Sequence, residues 1–316
     1  MTTQTIPHAG TARQAARAGR AAPAQPPPGQ GRTALWLLAP FVLLYLLFVI
    51  GPTIYGLIMS FFDASLVRPG LGDFVGLSNY AEALGSSDFW SSLWHTIWFT
   101  ILTTPPLVVL AFVFALLADR VSRGRAFFRF CFFAPYVLPS AVMALIWVWL
   151  YTPAIGLLSD WLSTVGVTPP NWLGDPNWAM ISVAIATVWW TLGFNFVLYL
   201  AGLQDIPRDL YEAAALDGAG PWQQIRQITI PMLGRTTTLV AVLQVIASLK
   251  IFDQIYIMTA GGPNFSTRPV LQYVYDTGFT DFRIGYSAAV SMLFFLVVIA
   301  VSAVWFRTVR GQEKGV

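Results

Sequence analysis

Six stretches of the chain are apolar and nearly free of charge, and each is long enough to cross a bilayer as a helix. A spanning helix needs roughly 20 apolar residues. Because 56% of the 316 residues are hydrophobic and 10% are charged, most of the mass belongs in lipid rather than in a soluble core. The sequence predicts an all-α integral membrane protein with a six-span helical bundle, the spans lying at about residues 34–62, 96–118, 130–151, 178–203, 236–260 and 285–306.

Prolines fall inside the first three of these spans. They are Pro40 and Pro52, the pair Pro105-Pro106, and Pro135 with Pro139. Packed neighbours can satisfy the carbonyl groups that a proline leaves without a donor. We therefore expect kinked helices in a bundle rather than broken spans.

The distribution of Lys and Arg predicts the orientation of the chain in the membrane. If the N-terminus is cytoplasmic, the inner segments carry fourteen of the 18 basic residues, and the outer loops carry three, Arg68, Arg268 and Arg283. Basic residues resist translocation. Six spans place both ends on one side, so we expect cytoplasmic N- and C-termini.

The two ends of the chain are predicted to be tails. Residues 1–32 are rich in Ala, Gly, Pro and Arg, which is typical of a disordered segment, and their arginines make it a basic cytoplasmic tail. The six-span domain covers residues 33–310, and residues 311–316 form a short C-terminal tail. The first apolar run is too long for a cleaved signal peptide, so we expect it to remain as a span.

The residues that catalysis or metal binding requires are not arranged for either. The two histidines, His8 and His95, form no spaced pair, and Cys131 is the single cysteine, so we expect no metal site and no disulfide. The sequence has no phosphate-binding glycine loop, nucleophile elbow or paired-carboxylate pattern. The basic residues are scattered, which disfavours nucleic-acid binding. We expect a protein that is not an enzyme and does not itself hydrolyse ATP.

Residues 205–231 form a polar segment between the fourth and fifth spans. Pro207 suits the first turn of a helix, Gly218 suits a left-handed stop, and Gly220-Pro221 suits the start of a second helix. The sequence predicts a short helix, a glycine break and another short helix. A helix lying on the membrane surface would need a face rich in Lys and Arg, whereas this segment has two Arg and four acidic residues.

This segment resembles the EAA loop of the membrane subunits of binding-protein-dependent ABC importers. The pattern is Glu212-Ala213-Ala214, Gly218 four residues after Ala214, nine residues to Ile228, then Ile230-Pro231, with Ile230 where the family usually has Leu. The resemblance implies a type I importer permease whose loop is a cytoplasmic coupling helix; we call residues 205–231 the coupling segment. It also implies that the ATPase is contacted by Leu210, Glu212, Ala213, Ala214, Leu216, Asp217 and Gly218.

Further stretches are similar to those of carbohydrate permeases of the maltose and glycerol-3-phosphate type. They are the runs at 74–80, 133–140 and 252–256 and the Gly261-Gly262-Pro263 loop. The resemblance implies a heterodimer with a second homologous permease, two ATPase subunits that bind ATP and Mg, and an extracytoplasmic sugar-binding protein. The expected location is the bacterial cytoplasmic membrane, where the chain is multi-pass.

Polar groups inside spans are costly and therefore mark functional sites. The fifth span carries Gln244, Ser248, Lys250, Asp253 and Gln254. Lys250 and Asp253 are three residues apart and could either neutralise one another or bind a ligand. In the fourth span, the indoles of Trp189 and Trp190 beside Thr191 and Asn195 suit a sugar, and helix packing at Gly193 is the alternative. Alignment with the maltose-type pattern implies sugar contacts at Ser140, Trp189, Leu192, Gly193, Phe196, Ser248 and Lys250.

Departures from the maltose pattern leave the substrate open. The maltose permease has amides at the positions of Trp189, Ser248 and Lys250. A lysine there favours an anionic ligand or pairs with Asp253. Outside the importer class, an ion-coupled secondary transporter of a small polar solute needs intramembrane ionisable groups, for which these two residues are candidates. A membrane scaffold without transport leaves the EAA spacing unexplained.

Overall fold

The computed structural model describes residues 30–68, 70–120 and 125–313. Residues 1–29 and 314–316 of the two predicted tails lie outside this part of the chain. The chain divides into two units, Met1–Tyr55 and Gly56–Val316. The cavity and the coupling segment described below lie in the second unit.

The regular secondary structure of the described residues is helical, apart from one β-bridge between Phe62 and Phe74. The helices are α1 Gln30–Tyr45, α2 Gly51–Met59, α3 Ser78–Gly85, α4 Ser87–Arg120, α5 Arg125–Phe133, α6 Ser140–Tyr151, α7 Leu157–Thr164, α8 Pro176–Gln204, α9 Arg208–Leu216, α10 Pro221–Gln224, α11 Ile230–Met232, α12 Gly234–Leu249, α13 Asp253–Met258, α14 Val270–Tyr275 and α15 Ile284–Glu313.

Four helical stretches are long and apolar enough to cross a membrane: Trp36–Met59, Ser87–Arg120, Pro176–Gln204 and Ile284–Ala303. Two pairs of helices are bent at a short break: Ala126–Val137 with Ser140–Tyr151, and Pro221–Met232 with Gly234–Leu249. The number of spans is six if each pair is counted as one. The predicted all-α membrane fold with up to six spans is confirmed. The Pro105-Pro106 pair lies inside a continuous α4, as expected.

The third span is broken, so the prediction of a merely kinked helix is wrong there. Ala126–Val137 and Ser140–Tyr151 meet at 96°. Leu138 and Pro139 are extended, with ψ of 136° and 142°. Proline disfavours helical geometry at the residue before it and cannot donate to the preceding turn, so Pro139 separates the two halves.

The fifth span also ends earlier than predicted, at Leu249 instead of near residue 260. Lys250 is its C-cap, Phe252 has φ −148° and ψ −66°, and α13 begins at Asp253. A cation at a helix C-terminus and an anion at an N-terminus both complement the helix dipole. Lys250 and Asp253 therefore stabilise the break between the two helices rather than share one helix.

The core depends on small residues that let helices approach closely. Ala111, Ala115 and Ala118 of α4 are buried against Phe196 and Tyr199 of α8. Small residues serve this purpose in membrane helix pairs, where lipid supplies no hydrophobic driving force between helices. This packing holds α8 in place between α4 and the broken third span.

The loop between the first two spans is tied to its surroundings by polar contacts. Asn79 donates from Nδ2 to the carbonyl oxygens of Ser60 and Phe62, both at 3.0 Å. Glu82 on α3 accepts two hydrogen bonds from Arg283, at 2.8 and 2.7 Å. These contacts connect α3 with the end of α2 and with the start of α15.

Candidate transport site

A cavity of about 420 Å³, lined by both polar and apolar side chains, lies among α4, α8, α12 and the breaks at residues 138–140 and 250–252. Its volume falls in the range of small-molecule sites. The lining residues are Phe99, Tyr136, Leu138, Pro139, Ser140, Thr187, Trp190, Thr191, Phe194, Leu243, Gln244, Ala247, Ser248, Lys250, Ile251, Phe252, Asp253 and Gln254.

Both helix breaks contribute to the wall of the cavity. Residues 138–140 come from the third span and residues 250–254 from the break after the fifth. Irregular backbone at membrane depth is tolerated where it is buried in protein or lines a water-filled space. At the first break, Trp190 donates from Nε1 to the carbonyl oxygen of Leu138 at 3.1 Å. The breaks that the sequence did not predict are therefore the elements that shape the site.

Five of the sequence-predicted substrate residues are brought together at this cavity. They are Ser140, Gln244, Ser248, Lys250 and Asp253. Ser140 lies at the start of α6, and its Oγ donates to Asp253 Oδ2 at 2.9 Å. The cavity thus joins residues from two spans that are far apart in sequence.

Lys250 and Asp253 do not neutralise one another. No ion pair joins them in the part of the chain that the structure describes, because the helix ends between them. The Asp253 carboxylate is engaged by Ser140 instead. The cavity wall therefore carries a cation and a hydrogen-bonded carboxylate at separate points.

The other four predicted substrate residues do not line the cavity. Trp189 packs edge-on against Trp147 at 5.6 Å. Leu192 is half-buried against the core, and Phe196 is fully buried beside Phe132 at 5.1 Å. A Cβ on Gly193 would clash with the backbone carbonyl oxygen of Phe132. Their assignment to a sugar site stays a prediction from resemblance, and Gly193 serves as a close-approach point between α8 and α5.

A different face of α8 supplies the cavity wall. Thr187, Trp190, Thr191 and Phe194 recur at spacings of three, one and three and all line the cavity. The predicted set at 189, 192, 193 and 196 has the same spacing shifted by two residues, which is roughly 200° around a helix. The predicted set came from resemblance to the maltose-type pattern, whereas the stripe of α8 that faces the cavity depends on packing against α4 and α5.

Tyr136 and Phe194 form an aromatic part of the wall that the sequence analysis did not assign. Tyr136 stacks on Phe194 with ring centroids 5.1 Å apart and lies 6.1 Å from Trp190. Tyr136 belongs to the one-turn helix Ala134–Val137 just before the first break. The signal that could have found it is its position between two prolines.

The coupling segment has the predicted form. Helix α9 ends at Leu216, Gly218 has φ of +83°, and Gly220 caps α10, in which Pro221 is the first residue. A π-helical turn follows at Ile225–Thr229, and the helix continues to Met232. The left-handed conformation requires glycine or a residue such as asparagine, so Gly218 makes the turn between the two helices.

The surface of the coupling segment is exposed and partly apolar. Six of the seven predicted ATPase-contacting residues are exposed, and Ala214 is half-buried. Leu216 is 90% exposed and Trp222 70%. Ile206 is buried, and Tyr211 Oη lies 2.9 Å from Thr229 Oγ1. The buried Ile206 and the contact between Tyr211 and Thr229 hold the coupling segment in place, while the side chains of Leu216 and Trp222 are exposed.

Helices long and apolar enough for up to six membrane spans, with helix breaks that line a cavity of mixed polar and apolar residues, are typical of a multi-pass membrane transport protein. The sequence comparison identifies the family: the chain belongs to the binding-protein-dependent transport system inner membrane components, whose sequence pattern matches residues 107–310. It is a multi-pass membrane permease rather than an ion-coupled secondary transporter.

Three relatives align over most of their length. The sulfoquinovosyl glycerol transport system permease of Agrobacterium fabrum is 32% identical over 90% of this chain and 92% of its own. The sn-glycerol-3-phosphate permease of the same organism is 36% identical, over 87% and 93%. The trehalose/maltose permease of Thermococcus litoralis is 34% identical, over 87% and 92%. All three are transport permease proteins.

The fold is also similar to that of a solved structure. A chain of a bacterial ABC transporter involved in the import of the acidic polysaccharide alginate superimposes with a TM-score of 0.78, covering 89% of this chain and 97% of that one, at 23% identity. This likeness confirms the importer permease fold.

Proposed function

We propose that this chain carries a sugar or a related polyol across the bacterial cytoplasmic membrane as one subunit of an ATP-driven importer. Its partners are a second homologous permease, two ATPase subunits that hold the ATP and Mg, and an extracytoplasmic sugar-binding protein. The names of its relatives, which include trehalose, maltose, sn-glycerol 3-phosphate and sulfoquinovosyl glycerol, support this substrate class.

The observation that carries the proposal is the composition of the cavity wall. Tyr136, Trp190 and Phe194 offer flat apolar faces, and Ser140 and Gln244 offer hydrogen-bonding groups beside them. Sugars have apolar ring faces with hydroxyl rims, which suit such a mixed wall. A site for a purely apolar solute would not need the Ser, Thr, Gln, Lys and Asp side chains that line this cavity.

The coupling segment supplies the contact with the ATPase. Glu212 offers a charge, Ala213 and Ala214 allow close docking, and Gly218 forms the turn. ATP binding closes the ATPases, and the coupling segment transmits that movement to the spans so that the cavity opens to the other side. The excess of Arg in the inner segments supports a cytoplasmic position for the coupling segment and for both termini.

The test is uptake by cells that express this chain with the transport proteins encoded beside it. Radiolabelled trehalose, maltose and sn-glycerol 3-phosphate are supplied separately, with leucine as a control solute. We expect uptake of at least one of the three, no uptake of leucine, and dependence on ATP. Uptake that stops when the proton gradient is dissipated at constant ATP contradicts the proposal and indicates ion coupling.

A further inference from the structure

Asn195 is a polar residue of α8 that lies behind the cavity wall rather than in it. Its side chain is fully buried. Nδ2 donates to the backbone carbonyl oxygen of Thr191 at 3.2 Å and to Gln244 Oε1 at 3.1 Å. Thr191 and Gln244 both line the cavity, so Asn195 connects two wall residues from outside.

These two contacts determine which amide atoms meet. A backbone carbonyl oxygen accepts hydrogen bonds and cannot donate, so the Asn195 atom beside it is the nitrogen. The same nitrogen contacts Gln244, whose contacting atom is therefore its oxygen. In the described part of the chain Nε2 of Gln244 has no hydrogen-bond partner. The two N–H groups of this nitrogen are therefore free to donate hydrogen bonds into the cavity.

The same reasoning applies one helical turn further along α12. Thr103 Oγ1 donates to the carbonyl oxygen of Phe99 at 2.9 Å and lies 2.9 Å from Ser248 Oγ. Because a hydroxyl has a single hydrogen, Ser248 is the donor in the second contact. The lone pairs of Ser248 Oγ can then accept a hydrogen bond from a group in the cavity. Asn195 and Thr103, which lie behind the wall, thus make Gln244 a hydrogen-bond donor and Ser248 an acceptor toward the cavity.

We propose that Asn195 is a positioning residue that holds the Gln244 amide with its N–H groups toward the cavity, where they bind an acceptor oxygen of the substrate. The inference rests on the proposed function, in which the cavity binds the sugar. Sugar hydroxyl and ether oxygens are acceptors of this kind. Without Asn195 the amide can rotate and present Oε1 instead, which accepts only.

The test is a double-mutant cycle on uptake with Asn195→Leu, Gln244→Leu and the double variant. KM and the maximal rate are measured for labelled maltose and labelled sn-glycerol 3-phosphate. We expect each single variant to raise KM about tenfold, the effect of one hydrogen bond, and the double variant to match Gln244→Leu. The proposal is overturned if Asn195→Leu raises KM by the same factor in the wild type and in the Gln244→Leu variant. It is also overturned if Asn195→Leu leaves KM unchanged.

Asn195→Asp sharpens the test because a carboxylate accepts a hydrogen bond but cannot donate one. It attracts Nε2 of Gln244 and turns Oε1 to the cavity, so KM rises at least as much as in Asn195→Leu. Ser182→Ala is the matched control. It removes another buried hydrogen bond of α8, to Trp172 at 2.8 Å, about 20 Å away along the helix, and leaves KM unchanged.

A second readout does not depend on the substrate. The midpoint of thermal unfolding of the purified complex is measured for the same cycle, and contact between the two amides makes the two shifts non-additive. Additive shifts overturn the pairing of Asn195 with Gln244. Absence of uptake of both compounds by the wild type, together with non-additive shifts, contradicts the proposed function and supports the pairing.

Discussion

The cavity and the coupling segment are both polar, but their contacts span very different distances along the chain. In the coupling segment the Gly220 N–H donates to Gln223 three residues away, and Tyr211 meets Thr229 at a separation of 18. In the cavity Ser140 meets Asp253 at a separation of 113, and Thr103 meets Ser248 at 145. A local pattern therefore specifies the coupling segment, whereas tertiary packing assembles the cavity.

The coupling segment and the cavity also differ in how much their side chains are exposed. The coupling segment presents Leu216 and Trp222 outward, as expected of a surface that a partner covers. In the cavity wall, Gln244 and Ser248 are held by buried residues from behind. The comparison implies that changes in the coupling segment affect transport without affecting the fold, whereas changes around the cavity affect both.

The largest expected effect is at Gly218. Gly218→Val abolishes uptake, at least a hundredfold below wild type, because a β-branched residue is strained at φ +83° and the turn changes shape. Gly218→Asn is the matched control and retains uptake, since asparagine adopts this conformation. Uptake is compared with the amount of chain in the membrane by immunoblot, and equal membrane content is expected. Wild-type uptake by Gly218→Val contradicts the coupling role.

Gly193→Ala is expected to damage the fold itself. Its Cβ meets three backbone atoms of Phe132 and Phe133 within 2.8 Å, and backbone cannot move aside as a flexible side chain can. We expect a loss of about 1–3 kcal/mol, seen as a lower midpoint of thermal unfolding. The control is Gly234→Ala, where no atom lies within 4 Å. Equal midpoints for the two variants would show that α5 and α8 are not tightly packed.

Lys250→Met tests the charge of the cavity wall. Loss of the ammonium group removes a charge-assisted hydrogen bond to an anionic substrate, so KM for sn-glycerol 3-phosphate rises about tenfold or more while KM for maltose changes little. Lys250→Arg retains the charge and serves as the control. Equal changes for both compounds would mean that Lys250 does not contact the substrate.

The smallest effect is expected at an exposed ion pair outside both regions. Hydrogen bonds from Arg283 lower the pKa of the Glu82 carboxyl. Because the pKa is lower in the folded state, the ionised carboxylate stabilises the fold at pH values above the ordinary glutamate pKa of about 4.3. This contribution to stability disappears as the pH falls through the lowered pKa. For an exposed pair it amounts to about 0.2–1 kcal/mol.

Glu82→Gln measures this contribution. The variant unfolds at a slightly lower temperature than the wild type at pH 7, and the difference shrinks at an acidic pH below the lowered pKa of Glu82. Glu212→Gln is the control, since Glu212 is exposed and forms no ion pair among the described residues. A difference between Glu82→Gln and wild type that is the same at both pH values would indicate a packing effect instead of a charge effect.

Much of the fold could be predicted from the sequence because its signals are local. Apolar runs of sufficient length locate the spans, and the helix, Gly218 turn and helix of the coupling segment follow from residue conformations. The break at Pro139 could not be predicted, since proline also occurs within the continuous α4, and neighbouring contacts decide between a kink and a break.

The candidate site was predicted in part for the same reason. The cost of polar groups in lipid identified Gln244, Ser248, Lys250 and Asp253, and resemblance to the maltose-type pattern identified Ser140. The stripe of α8 that faces the cavity could not be read from its period alone. Asn195 was visible as a polar residue in a span, but its contact with Gln244 depends on how α8 and α12 pack.

The most direct test of the central claim is recovery of the partners through the coupling segment. The tagged chain is purified in mild detergent from its own host beside a Glu212→Lys variant, and co-purifying proteins are identified by mass spectrometry. The account predicts an ATPase and a second permease with the wild type, and reduced ATPase with the variant at equal membrane content. Recovery of the wild-type chain alone, or as a homomer without an ATPase, would contradict it.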